Sequence, residues 1–134
     1  MSFTEYHGKT VEVHAPAGVV FNYLADMRNF GKLMPPSVSD WKADIDQCSF
    51  AIRSLGEVKI SYEKKEMPTH LICVSEIRGD DYRLHADIKP LTNDHCDVTF
   101  RFNGDMNMVT RMLAQKPIHQ LLDTLADMLE KTSF

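Results

Sequence analysis

No apolar run in this 134-residue chain approaches the roughly 18 residues that a membrane-spanning helix requires. The opening Met1-Ser2-Phe3-Thr4-Glu5-Tyr6 carries neither the basic start nor the apolar stretch of a secretion signal. Stable membrane insertion is therefore not expected, and a cytoplasmic location is. Basic stripes are missing as well: the longest is Lys64-Lys65 and the formal net charge is −4, which argues against a phosphate backbone, and hence nucleic acid, as partner. The three cysteines, Cys48, Cys73 and Cys96, are odd in number and contain no C-x-x-C pair, so neither a disulfide framework nor a zinc site is signalled. They read as small buried apolar residues.

Catalytic and cofactor signatures are equally scarce. The six glycines are isolated, which excludes a phosphate-cradling loop, and no serine sits in an elbow motif. The histidines His7, His14, His70, His85, His95 and His119 form no H-x-x-x-H or H-E-x-x-H spacing. No catalytic residue, metal ligand or cofactor is assigned on this ground. The carboxylates, including Asp44, Asp46, Glu63, Glu66, Asp80 and Asp81, fit solvated faces and turns.

What is present is the profile of one globular domain over 1–134: 43% hydrophobic, 25% charged, with six prolines scattered rather than clustered. Lys9 to His14 alternates Val11 and Val13 with polar neighbours, a strand with one buried face ending at Ala15. Pro16 suits a first helical turn, and Val19, Val20, Tyr23, Leu24 and Met27 recur at helical spacing. Asn29 to Leu33 can add one more turn before Pro35-Pro36 ends it. Period-2 alternation then dominates. Trp41 to Ile45, Cys48 to Ile52, Val58 to Tyr62, His70 to Ile77, Tyr82 to Ile88 and Cys96 to Phe102 read as strands joined by hairpin-sized loops, with the charged stretch Lys59 to Glu66 on an exposed face or edge. His70 to Ile77 lacks strict alternation, as in a strand covered on both faces or interrupted by a bulge. Connections this short pair strands antiparallel.

Asp105 is the expected N-cap of a long helix that carries Met108, Val109, Met112, Leu113, Ile118, Leu121, Leu122, Leu125, Met128 and Leu129 in its interior. Pro117 is expected to kink or break it near Gln115-Lys116. The fold class is thus α+β: about seven curved antiparallel strands whose apolar face is covered by the C-terminal helix, with one or two short helices after the first strand.

The strand-to-helix junction Val11-Glu12-Val13-His14-Ala15-Pro16-Ala17-Gly18-Val19-Val20-Phe21-Asn22-Tyr23-Leu24-Ala25-Asp26, and the ending through Asn103-Gly104-Asp105-Met106-Asn107, resemble the START/Bet v 1-like superfamily, the helix-grip or polyketide cyclase/lipid-transport group. The order of elements agrees over nearly the whole chain, closest to small single-domain bacterial members. The resemblance implies a helix-grip fold with a cavity between sheet and terminal helix for a small hydrophobic or amphipathic molecule. It does not fix an activity.

Inward positions that could line such a cavity are Phe50, Ile52, Tyr62, Tyr82, Leu84, Phe100, Met108 and Met112, with His119 the one histidine placed to reach it. The same residues could instead fill the core solidly. Besides a binding domain, two readings stay open. One is a cyclase-, aromatase- or hydratase-type enzyme using His119, Tyr62 or Tyr82. The other is a protein-interaction module, its exposed patch at Trp41 or Phe30 beside Leu33-Met34-Pro35-Pro36, unless those residues form a lid. Oligomeric state cannot be read from the chain.

Overall fold

The structure, a computed structural model, describes residues 2–134, and side chains from residue 3 onward. Seven strands form one antiparallel sheet: β1 (Ser2–Val13), β2 (Val38–Ala43), β3 (Gln47–Ile52), β4 (Gly56–Glu66), β5 (His70–Ile77), β6 (Asp80–Pro90) and β7 (Cys96–Met106). Their spatial order is β1-β7-β6-β5-β4-β3-β2, so every neighbouring pair but β1–β7 is a hairpin. Two short helices, α1 (Ala17–Leu24) and α2 (Met27–Phe30), and a 3₁₀ turn over Gly31–Leu33 separate β1 from β2, and α3 (Met108–Glu130) ends the fold.

Strict alternation divides the sheet into two faces. Tyr82, Leu84, Ala86 and Ile88 of β6 and Cys96, Val98, Phe100 and Phe102 of β7 are all buried on the face that α3 covers. Their neighbours Arg83, Asp87, Asp97, Thr99 and Arg101 are partly exposed on the other. The charged strand β4 lies between β3 and β5, so its lysines and glutamates mark an exposed face and not a sheet edge.

α3 packs chiefly against β1 and β7. The β1–β7 register shifts between His7 and Thr10, and Gly8 in that irregularity lets the helix down onto the strand. A Cβ at residue 8 would stand 3.0 Å from Leu122 Cβ and 3.0 Å from the Phe100 carbonyl oxygen. From Ile118 onward the helix buries Ile118, Leu121, Leu122, Leu125, Ala126 and Leu129, about two residues per turn.

Three expectations change. Strand β1 begins at Ser2, because residues 2–7 pair with 101–106 beyond the irregularity that interrupts the alternation. The cap of α3 is Asn107, whose Oδ1 accepts the Thr110 amide at 2.8 Å, while Asp105 is still in β7. Helix α3 is unbroken through Pro117. Proline removes one backbone bond there, but buried Ala114 and Ile118 on either side hold both halves to the sheet.

Phe30 and Leu33 are 2% and 1% exposed, and Trp41 stacks on Phe50 with ring centroids 5.7 Å apart. The Phe30 to Pro36 segment is therefore a lid over one end of the sheet.

Candidate functional site

On the inner face of the sheet, Tyr6 and Tyr62 direct their hydroxyls to the Met106 sulfur and the Leu24 carbonyl, but one place is different. Ser75 of β5 and Tyr82 of β6 are register partners, 0% and 1% exposed. The Tyr82 ring tilts against Phe102, with centroids 5.6 Å apart. Neither Ser75 Oγ nor Tyr82 OH has a hydrogen-bond partner among the described residues. A buried hydroxyl left this way costs about 1–3 kcal/mol, so two on paired residues of neighbouring strands stand out.

Buried Thr110, in the first turn of α3, supplies a third hydroxyl near Tyr82. Burial, reinforced by the Asp80 charge, pushes the Tyr82 phenol up. The Thr110 hydroxyl opposes that rise without closing a hydrogen bond of good geometry. The phenol thus stays protonated and can donate.

The helix above this spot differs from its C-terminal half. Over the first two turns only Thr110 and Ala114 are buried, both small, while Met108, Val109 and Met112 point outward at 75%, 61% and 74% exposure. Small residues therefore face the sheet at the start of α3, with half-buried Leu113 beside them packed against the core.

Five of the residues expected inside, Phe50, Ile52, Tyr82, Leu84 and Phe100, are buried on the inner face. Tyr62 is half-buried beneath α1, where its hydroxyl donates to the Leu24 carbonyl at 2.5 Å and burial pushes its phenol up. Met108 and Met112 face outward and not inward. His119 is exposed and packs edge-on against Tyr6, with centroids 4.8 Å apart, over β1. The helical phase carried back from Ile118 by steps of four gives Ala114 and Thr110. The large apolar residues at 108, 109 and 112 obscure that phase. Ser75 and Thr110 were missed; the available signal was Ser75 interrupting the inward series Leu71, Cys73, Ile77.

The three cysteines are free and buried. Burial pushes the Cys48 and Cys73 thiols up to about 12 and raises that of Cys96, which makes them poor nucleophiles near neutral pH.

On the outer face an open groove of about 670 Å³ runs over β2 to β6, lined by Lys42, Asp44, Ser49, Lys59, Ser61 and Glu76 among others. Its mixed charges are those of a solvated sheet surface, and it does not communicate with the Ser75–Tyr82 pair on the opposite face.

The geometry has clear counterparts among solved structures. Norcoclaurine synthase from Thalictrum flavum superposes with a TM-score of 0.75 at 13% identity, over 97% of this chain and 86% of the other. The KanY protein (ms6282) superposes at 0.74 and 12% identity, covering 98% and 97%. A START superfamily protein from Mycobacterium smegmatis superposes at 0.62 and 13% identity, covering 96% and 94%. The chain has the START/Bet v 1-like, helix-grip fold. No protein-family model and no curated protein sequence matches it. No helix among the described residues is long and apolar enough to cross a membrane.

Proposed function

We propose that this helix-grip domain binds a small hydrophobic or amphipathic molecule between the sheet and the first turns of α3, in a cytoplasmic, reducing setting that keeps its three thiols free. The observation that carries this reading is the pair of unpartnered hydroxyls, Ser75 and Tyr82, on the inner face. Polar groups on a ligand would satisfy them, and its apolar body would rest against Phe50, Leu84 and Phe100. Thr110 and Ala114 of α3 are the small residues past which such a ligand would be admitted. A structural neighbour supports the choice of ligand size: norcoclaurine synthase from Thalictrum flavum has been solved in complex with dopamine and hydroxybenzaldehyde.

A protein-interaction module is favoured by a different observation, the outward Met108, Val109 and Met112 on α3. Native mass spectrometry of protein purified without detergent, followed by organic extraction, separates the two. A reproducible passenger that is lost in Ser75→Ala and Tyr82→Phe supports binding at the inner face. A mass equal to the bare chain, with no thermal shift across a panel of lipids and small aromatic compounds, sinks it.

A further inference from the structure

Outside that site, the antiparallel pairing of β1 with β7 assembles a set of side chains that lie far apart in the chain. Glu12 stands opposite Asp97 and Val13 opposite Cys96. One step further along the same ladder, His14 meets His95 from the loop that precedes β7. His95 Nε2 lies 2.8 Å from His14 Nδ1, and the two rings are edge to face with centroids 4.6 Å apart. His14 Nε2 lies 3.8 Å from Glu12 Oε1. One ligand atom each from Glu12, His14 and His95 falls within a 4.8 Å span.

We propose that Glu12, His14 and His95 form a binding site for a divalent first-row transition ion of the zinc type. Two imidazoles and a carboxylate suit that class of ion and leave a fourth position for water. Metal–nitrogen bonds of about 2.0–2.1 Å in a tetrahedron put neighbouring ligand atoms about 3.3 Å apart. The 2.8 Å contact uses His14 Nδ1 and the 3.8 Å contact its Nε2. A single ion takes only one of them, so the three ligand atoms, one per residue and within 4.8 Å of one another, have to draw together toward that spacing. Side chains that are 72% (His14) and 53% (Glu12) exposed can make such movements.

The less exposed histidine is oriented in advance. Thr92 Oγ1 lies 3.3 Å from His95 Nδ1, and that hydroxyl is itself fixed by accepting the Asp94 amide at 3.1 Å. The Leu91 and Thr92 amides both donate to the His95 carbonyl. With Nδ1 engaged by a hydroxyl, Nε2 is the nitrogen turned toward His14, the arrangement by which an outer partner sets a ligand's tautomer. The charge balance agrees. Glu12 and Asp97 are like charges directly across a strand pair, a destabilising placement that a cation relieves. Lys89, across from Asp97 on its other side, offsets only one of them.

The test is isothermal titration of the full, tag-free chain with zinc chloride near neutral pH, repeated with cobalt(II) to read its visible absorption. A single equivalent of zinc is expected, with affinity lowered about tenfold or more in His14→Ala and in His95→Ala, and the cobalt absorption lost in both. Thr92→Val is expected to weaken binding less than either, and His70→Ala, which alters a separate histidine pair, not at all. No binding up to about 0.1 mM zinc, or binding of unchanged strength in the His14→Ala/His95→Ala double variant with native circular dichroism, overturns the site. Neither result bears on the inner-face ligand, since Glu12 and His14 point away from α3.

Discussion

The ring of Tyr82 lies directly on the backbone of Gly104: a Cβ at residue 104 would stand 2.5 Å from Tyr82 Cδ1. Glycine in β7 is thus what lets the Tyr82 ring lie over that strand, against Phe102 and with its hydroxyl near Thr110. Gly104 also has a φ of +158°, at the border of what other residues adopt readily. Gly104→Ala is expected to force the ring aside and destabilise the domain by about 1–3 kcal/mol, as overpacking does. Urea denaturation checks it, and an unchanged midpoint would mean that the ring moves freely and does not fix the position of the hydroxyl.

Removing the unpartnered groups should have the opposite sign. Tyr82→Phe keeps the ring and deletes a buried hydroxyl that has no partner, so the ligand-free protein is expected to gain up to about 1 kcal/mol. Any bound molecule that uses the hydroxyl is expected to bind more weakly. Stability and ligand retention moving in opposite directions would mark a group kept for binding. A loss of stability on the same substitution would show that Thr110 already satisfies it.

Most of the architecture was legible because β6 and β7 alternate without exception and because the hairpin loops are too short for parallel crossovers. The site was less so. Phe50, Tyr82, Leu84 and Phe100 could be placed inside from strand period alone, but Met108 and Met112 could not. Their helix carries its small residues inward, and hydrophobicity then points the wrong way. The Glu12, His14 and His95 cluster had no local spacing to betray it, since 81 residues separate the two histidines and only the β1–β7 register unites them.

The outer face carries a second histidine pair with consequences for pH. His85 is 9% exposed, stacked at 5.2 Å on His70, with His70 Nε2 at 3.0 Å from its Nδ1. Arg101, Asn103, Asp87 and Glu5 surround it, Asn103 Nδ2 lying 3.3 Å from its Nε2. Burial, then the Arg101 and His70 charges, hold His85 below its ordinary 6.5 despite the opposing Asp87 and Glu5. The unfolded chain therefore binds a proton here more readily than the folded one. Stability is complete above about pH 6.5 and declines as pH falls from there toward the lower folded value. Glu5 is also held low, chiefly by its Asn103 hydrogen bond, and loses its contribution in a separate window below about pH 4.5. Denaturation midpoints measured from pH 7.5 downward should fall first in the histidine window, and His85→Gln should flatten that first decline while leaving the second. An unchanged profile in His85→Gln would assign the decline to another group.

Tyr62 tests the other end of the sheet. Its hydroxyl donates to the Leu24 carbonyl, at the end of α1, and Lys65 lies 4.3 Å over its ring. This phenol therefore ties α1 to β4, with no role in ligand contact required. Tyr62→Phe is expected to lose about 0.5–1.5 kcal/mol, raising amide hydrogen exchange in α1 while leaving α3 and any bound passenger unaffected. Loss of the passenger with unchanged stability would instead move Tyr62 into the ligand site.

Pro117 offers the last test, because it sits where α3 changes from small to large inward residues. With no N–H to offer, it leaves the Leu113 carbonyl without its helical donor, at the junction between the lightly packed first turns and the stripe that begins at Ile118. Pro117→Ala restores the bond and removes a residue that disfavours helix interiors by about 3 kcal/mol. The greater freedom of the unfolded alanine chain offsets up to about 1 kcal/mol of that. A net gain near 2 kcal/mol is expected, together with slower hydrogen exchange over 108–116. If the first turns of α3 must lift to admit a ligand, the same substitution should also slow the release of a bound passenger. A gain in stability with release unchanged would show that the molecule enters by another route.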